Sequence, residues 1–227
     1  TTVYDFRSQD VALGGQGAPL VPIGDKLLFS QYDCCLNLGG FSNISFNDFN
    51  KRIAYDVCPV NIVLNHYAEK IGLPYDDKGE IAKSGVLNIH LLEALNQLEY
   101  YAQKPPKSLG LEWVKEHIFP LMNRHETNIS AILHTFTMHA AHQIGKEIDK
   151  FDSVLVTGGG AFNSFLMNSI QKVTQKPSKK VDHTLINYKE ALVFAFLGLL
   201  KLKGENNCLR SVTGASKDHS SGVIIRR

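Results

Sequence analysis

At 227 residues, with 44% hydrophobic and 20% charged side chains, the chain has a globular composition and the length to bury a substantial core in one or two domains. A formal net charge of +2 is too balanced to point to nucleic acid. No apolar run approaches the roughly 18 residues of a membrane helix, and no basic stretch followed by an apolar one marks a secretory leader, so neither nucleic acid nor membrane is expected as a partner.

In chain order, Thr2–Phe6 reads as a buried strand, followed by a glycine-rich loop over Arg7–Pro22. A strand at a terminus needs neighbours, supplied later in the chain or by a segment upstream. Strands are expected at Cys34–Leu38, Ser42–Phe46 and Arg52–Asp56, the last two joined by the turn Asn47-Asp48-Phe49-Asn50. Pro59 suits the first turn of a helix in which Ile62, Val63, Tyr67 and Ile71 recur at helical spacing up to Gly72. Further helices are predicted over Lys78–Lys83, Asn88–Gln97 and Leu111–Met122, with a loop at Pro105–Gly110. The longest, Asn128–Lys150, carries Ile129, Ile132, Leu133, Phe136, Ala140, Ile144 and Ile148 on one broad face. A strand at Val154–Thr157 runs into Gly158-Gly159-Gly160 and a new helix. Gln171–Asp182, with Lys172, Lys176, Lys179 and Lys180, reads as a solvated loop. Leu185–Lys203 is a helix with Glu190 near its start, and a short strand is placed at Gly222–Ile225 in an otherwise irregular tail.

Three short antiparallel strands, a helix, then further strand–helix pairs is the order of a ribonuclease-H-like α/β lobe, the unit of actin-like ATPases and sugar kinases. Cys34, Cys35, Cys58 and Cys208 form no C-x-x-C pair and read as buried, reduced thiols suited to the cytoplasm. His139 and His142 share a helix face but have no third ligand at matching spacing, so no metal site is expected.

Two glycine turns, Gly39-Gly40 and Gly158-Gly159-Gly160, each follow a buried-type strand and can offer backbone amides to a phosphate. The bland alternative is two tight turns without a ligand. No Walker loop is present. Asp56 ends its predicted strand just before a helix, where it can stay ionised or simply cap the helix. Asp10, ahead of the glycine loop, is a second candidate carboxylate. Asp5 and Arg7 read equally as a structural ion pair, and Glu190 as a first-turn partner of a helix dipole.

These residues bring a family into view. The chain resembles the anhydro-N-acetylmuramic acid kinases through Asp5-Phe6-Arg7, Asp10, Gly14-Gly15-Gln16-Gly17-Ala18-Pro19-Leu20-Val21-Pro22 and Leu36-Asn37-Leu38-Gly39-Gly40-Phe41-Ser42-Asn43. Asp56 with Pro59 and Asn61, Pro106-Lys107-Ser108 with Gly110, Gly158 to Asn163, Glu190-Ala191 and Val212-Thr213-Gly214-Ala215 complete the series in family order. The resemblance implies an ATP- and magnesium-dependent cytoplasmic kinase of peptidoglycan recycling. It opens 1,6-anhydro-N-acetylmuramic acid with water and yields N-acetylmuramate 6-phosphate. Asp56 matches the catalytic base and Glu190 a glutamate orienting sugar or water. Asp5, Arg7, Asp10 and Gln16 fall with the sugar. Gly39, Gly40, Asn43, Lys107, Ser108, Gly158, Gly159, Gly160 and Asn163 fall with the nucleotide. Family members are often homodimers.

Two departures qualify the resemblance. The family pattern Asp-x-Gly-Pro-Gly-Asn carries Cys58 and Val60 at its glycine positions here, which would crowd a phosphate packed on them. The family's N-terminal Met-Ser-Gly-Thr-Ser-x-Asp-Gly loop has no counterpart in the chain. The expectation is therefore a C-terminal portion with the N-terminal lobe missing and little activity alone. Residues 1–10 would be the end of that lobe and its connection. Residues 11–227 would be the C-terminal ribonuclease-H-like lobe, with a helical insertion around 62–150. The alternatives are a non-catalytic actin-like nucleotide-binding module and a kinase for another amino sugar.

Overall fold

Three helices begin where an asparagine side chain takes over an orphaned backbone N–H. Asn88 caps α5 (Ile89–Asn96) through Leu91, Asn128 caps α8 (Ile129–Ile148) through Ala131, and Asn163 caps α9 (Ser164–Thr174) through Leu166. The computed structural model describes residues 1–49, 51–176 and 182–226. The remaining elements are β1 (Thr2–Tyr4), α1 (Ser8–Ala12), α2 (Pro22–Leu28), β2 (Cys34–Leu38), β3 (Phe41–Asp48), β4 (Lys51–Pro59), α3 (Asn61–Glu69), α4 (Glu80–Ser84), α6 (Leu111–Trp113), α7 (Phe119–His125), β5 (Val154–Thr157), α10 (His183–Lys203), α11 (Arg210–Thr213) and β6 (Val223–Ile225).

The architecture is mixed α/β. One mixed sheet has the order β4-β3-β2-β5. The terminal strand finds its neighbour late in the chain: β1 pairs antiparallel with β6, Val3 opposite Ile224. Among the described residues no helix is long and apolar enough to cross a membrane.

The chain divides into two compact units. The first comprises Thr1–Cys35, Ser45–Ala54 and His183–Arg227. Its core joins Leu20 and Ile23 to Val193, Leu197 and Leu200 of α10 and to Cys208 and Leu209. Helix α2 approaches α10 at Gly24, where a Cβ would come within 2.6 Å of Val193 Cγ2, so only glycine fits. Buried charges are matched here: Lys189 Nζ lies 2.7 Å from Asp25 Oδ1, and Ser45 donates to Asp25 Oδ2 at 2.5 Å. Arg52 donates to Ser45 Oγ at 2.8 Å. This arrangement answers the cost of removing three charges from water.

The second unit comprises Leu36–Ile44 and Tyr55–Asp182. Helix α8 is its centre, with Ile132, Leu133, Phe136, Ala140 and Ile144 buried against α3, α4, α5 and α9. His139 sits on the buried side, its ring nitrogens 2.7 Å from Asn96 Oδ1 and 2.9 Å from the Tyr101 hydroxyl. Burial pushes its pKa down to about 3, so it is a neutral core histidine with both nitrogens occupied.

Several elements differ from the sequence reading. The expected loop over Arg7–Pro22 contains α1, and α2 begins at Pro22 itself. Strand β4 continues to Pro59, so α3 starts at Asn61. Strand β3 runs through Asn47 and Asp48, while Asn50 lies outside the described residues. The expected Leu111–Met122 helix is three consecutive helical segments reaching His125, with a π-type stretch at Val114–Ile118 ahead of Pro120. Gln171 to Thr174 belong to α9, while Lys179 and Lys180 lie outside the described residues.

Candidate active site

The second unit holds both glycine turns and Asp56. Strand β2 ends at Leu38, and the Gly39-Gly40 turn reverses the chain into β3. The carbonyls of this turn face α3: Gly40 O accepts from Val60 N–H at 2.8 Å and from Ile62 N–H at 3.2 Å, and Gly39 O accepts from Asn61 N–H at 3.2 Å. The first amides of α3 are thus satisfied by backbone, and no side chain caps the helix. Asp56 is therefore not a capping residue.

The second glycine turn packs on Asn37 and Leu38, the end of β2 just ahead of the first turn. Gly158 has φ +85°, and a Cβ there would stand 2.7 Å from both Asn37 Oδ1 and the Leu38 carbonyl carbon. A Cβ on Gly160 would stand 2.8 Å from Leu38 Cβ. These two glycines answer to protein packing. Gly159 does not: it is exposed, and a Cβ would meet only Asn61 Nδ2 at 3.8 Å. The amides after the turn are used internally, with Ala161 N–H on Gly158 O and Asn163 N–H on Gly160 O. Asn163 caps α9 and is nearly buried against Gly79. The open face of the turn is Gly159.

Asp56 lies inside β4, half-buried. The loop after Pro106 closes over it: Leu109 N–H donates to Oδ2 at 2.8 Å, and Asp56 N–H donates to Lys107 O at 3.3 Å. Tyr100 donates its hydroxyl to the Asp56 carbonyl at 2.6 Å. Oδ1 has no hydrogen-bond partner among the described residues. Burial raises the Asp56 pKa, and the Leu109 amide opposes that rise. The result is a carboxylate with one oxygen held and one presented, more basic than an exposed aspartate.

Lys107 places its ammonium 4.8 Å from the Tyr100 ring centre and 5.8 Å from that of Tyr55. Burial lowers its pKa, and Glu147 opposes the shift. Ser108 is exposed beside it, and Asn43 is half-buried on β3.

In the first unit, Asp10 is fully buried in α1. Its Oδ2 accepts from Gly17 N–H at 2.8 Å and its Oδ1 from the Thr213 hydroxyl at 2.7 Å. Arg7 donates to Gly17 O at 2.6 Å, and Gln16 N–H donates to Thr213 O at 2.9 Å. Gly15 passes so close to the Asp10 carboxylate that a Cβ would overlap it. Asp10, Arg7 and Gln16 thus share one loop, with Asp10 as its internal anchor. Asp5, at φ 52°, accepts from Ser8 N–H at 3.1 Å, which makes Ser8 its partner in place of the expected Arg7 pairing. Glu190 is exposed on α10, and no acidic residue occupies the first turn of that helix. It begins at His183, so the dipole argument does not apply.

Comparison with known proteins bears on this geometry. The family described as anhydro-N-acetylmuramic acid kinase matches residues 1–227. The chain belongs to this family. It is 36% identical over 234 residues to an anhydro-N-acetylmuramic acid kinase of Sulfurovum sp., covering 98% of the chain and 64% of that relative. The Vibrio cholerae relative is 36% identical over 244 residues, covering 99% of the chain and 64% of the relative. The Saccharophagus degradans relative is 36% identical over 240 residues, covering 98% and 64%. The chain thus spans a little under two thirds of these relatives' length.

Where the kinase family pattern has glycines, Cys58 and Val60 are both completely buried. Ser42 donates its hydroxyl to Cys58 O at 3.0 Å, and the thiol packs towards Ala140 O of α8 at 3.9 Å. Neither side chain has surface for a phosphate to meet. Tyr100 and the Leu109 amide escaped the sequence reading. They reach Asp56 from 44 and 53 residues away, with no local pattern to announce them.

Proposed function

We propose that the protein is an ATP-dependent kinase that hydrolytically opens 1,6-anhydro-N-acetylmuramic acid and phosphorylates it at O6, in a ribonuclease-H-like fold. Asp56 takes a proton from water as the water oxygen bonds to the anomeric carbon. The bond from that carbon to O6 breaks, O6 attacks the γ-phosphorus, and ADP leaves with the bridging electrons. Glu190 orients the water or sugar. Asp5, Arg7 and Gln16 contact the sugar, and Asp10 acts through the loop it anchors. Gly39, Gly40, Asn43, Lys107, Ser108 and Gly159 serve the nucleotide, with Gly158, Gly160 and Asn163 shaping the turn that carries Gly159.

The observation that carries this reading is the half-buried Asp56, with Oδ2 fixed by an amide and Oδ1 presented. A base must be near its proton and above ordinary carboxylate basicity, and this environment supplies the second condition. Magnesium is proposed to arrive on the ATP phosphates. Among the described residues the one three-ligand cluster contains a thiol and an imidazole, which do not suit magnesium, so no step is assigned to the ion. Action in the cytoplasm, as a homodimer, belongs to the same proposal.

The test is product formation. With the full-length protein, anhydromuramic acid and ATP should yield ADP and the 6-phosphate, with one solvent oxygen at the anomeric carbon. Asp56→Asn should remove turnover while ATP still binds. Nucleotide binding without product from any anhydro sugar would favour a non-catalytic module. Product from a different amino sugar alone would favour another kinase specificity.

A further inference from the structure

Cys208 and His219 face each other as an isolated antiparallel pair in the first unit. Each donates its N–H to the other's carbonyl, at 3.1 and 3.2 Å. Directly opposed residues of this kind carry their side chains on the same face. Asp10 of α1 meets them there: its Oδ1 is 3.5 Å from His219 Nε2. Ligand atoms from Asp10, Cys208 and His219 all lie within 4.8 Å of one another, and all three residues are buried.

His219 Nδ1 is 3.1 Å from the Lys217 carbonyl. A carbonyl only accepts, so Nδ1 carries a proton, and Nε2 is the ring nitrogen turned towards Asp10. Nε2 is buried, has no hydrogen-bond partner and points at a carboxylate oxygen. A buried ring nitrogen and a carboxylate oxygen at that spacing, with no hydrogen bond between them, are placed as two ligand atoms of one cation. Ser221 is wholly buried, with its hydroxyl against the Cys208 thiol.

We propose that Asp10, Cys208 and His219 form a closed structural site for zinc(II), with the Ser221 hydroxyl or a water completing four-coordination. Imidazole nitrogen, thiolate and carboxylate are the ligand types zinc takes, and ligands about 2.0–2.3 Å from a tetrahedral ion stand roughly 3.3–3.8 Å apart, close to the Asp10–His219 spacing. On binding, the Cys208 S–H bond breaks, an S–Zn bond forms and the proton goes to solvent. Thiolate and carboxylate together offset the double positive charge, so the buried cluster is neutral. The outer partners are already in place. Lys217 O holds the His219 ring, and Thr213 and Gly17 N–H hold the Asp10 carboxylate. The ion would staple the Cys208–His219 pair to the Asp10 loop, a role apart from phosphoryl transfer.

The test uses the whole protein, loaded with cobalt(II) in place of zinc and titrated with the ion alone. The expected result is one cobalt per chain, with a tetrahedral visible spectrum and a sulfur-to-cobalt charge-transfer band. Cys208→Ser should abolish the band, and His219→Gln should weaken binding at least tenfold. Zinc should displace cobalt and raise the melting temperature of the wild-type protein. Absence of the band in wild-type protein overturns the proposal, as does a band that persists in Cys208→Ser. A His219 ring shown by nitrogen NMR to be doubly protonated in the zinc-treated protein also overturns it. Because the decisive spectrum is that of the unaltered chain, a misfolded variant does not protect the idea.

Discussion

The Leu109 amide holds Oδ2 of Asp56 at 2.8 Å from 53 residues further along the chain. One bond thus ties a loop to the carboxylate proposed as the base. It fixes the side chain and leaves Oδ1 for a water. Asp56→Asn keeps an acceptor for Leu109 but cannot take a proton at neutral pH. Turnover should fall by roughly 10²–10⁴-fold, the range for a lost general base. The ATP dissociation constant, measured by calorimetry, should stay within about twofold of wild type, a shift small against a tenfold change of 1.4 kcal/mol. Near-normal turnover would remove Asp56 from the mechanism.

The same burial has a consequence for stability. The Asp56 pKa is raised in the folded state, so between its unfolded and folded values the folded protein binds more protons than the unfolded chain. Stability therefore falls as pH rises through that window, and the cost is fully present above the folded value. Asp56→Asn should melt higher than wild type at neutral pH. The difference should shrink as pH falls through the raised value and vanish below the ordinary carboxylate range. Melting curves across acidic and neutral pH check both sign and window. A variant less stable than wild type at neutral pH contradicts the assignment of burial as the dominant cause.

Gly158 and Gly159 are neighbours with opposite expectations. Gly158→Ala meets Asn37 and Leu38 at 2.7 Å and a backbone at φ +85°, so it should cost about 1–3 kcal/mol in denaturant unfolding. Gly159→Ala meets only Asn61 Nδ2 at an ordinary contact distance and should stay within about 0.5 kcal/mol of wild type. If nucleotide approaches that face, Gly159→Ala should still weaken ATP binding severalfold. A stable Gly159→Ala protein with unchanged ATP affinity would take the turn out of the nucleotide site.

The strand grammar was legible because it is local. Cys34–Leu38 is found over the same residues, since an apolar run ending in two glycines leaves one reading. The long helix was visible from its apolar face, and the structure adds the Asn128 cap. What sequence hid was set by tertiary contact. Pro22, read as the end of a glycine-rich loop, instead opens α2 as a tolerated first helical residue, and Gly24 is dictated by Val193. Asp56 reads from its position first as a cap, and only the carbonyls of Gly39 and Gly40 on α3 remove that reading. The Asp10–Cys208–His219 cluster joins α1 to a residue pair some two hundred positions later and leaves no spacing to recognise.

Lys189 sits next to Glu190 but points inward, 2.7 Å from Asp25. Lys189→Met would leave Asp25 buried, with Ser45 as donor and Arg52 only at 3.9 Å. The cost should be about 3–5 kcal/mol, as for a broken buried pair. Replacing both partners, as Asp25→Leu with Lys189→Met, should recover part of that loss because no uncompensated carboxylate remains. Urea denaturation of the two variants decides between a charge effect and simple loss of packing. An equally unstable double variant would point to packing.

Restoring the family's glycine at position 58 tests whether the substitution there affects function. Cys58 is fully buried, its thiol near the Ser42 hydroxyl at 3.2 Å and burial pushing its pKa up to about 12. Such a thiol is an inert packing group, neither a nucleophile nor a surface that ATP can touch. Cys58→Gly removes it, leaves a small void beside α8 and places glycine in a strand interior. Stability should fall by about 1–3 kcal/mol through cavity and backbone entropy together. The KM for ATP should not change, because no phosphate leans on that residue in either protein. A lower KM with unchanged stability would mean that the cysteine does obstruct the nucleotide, and that its burial here fails to describe the working enzyme.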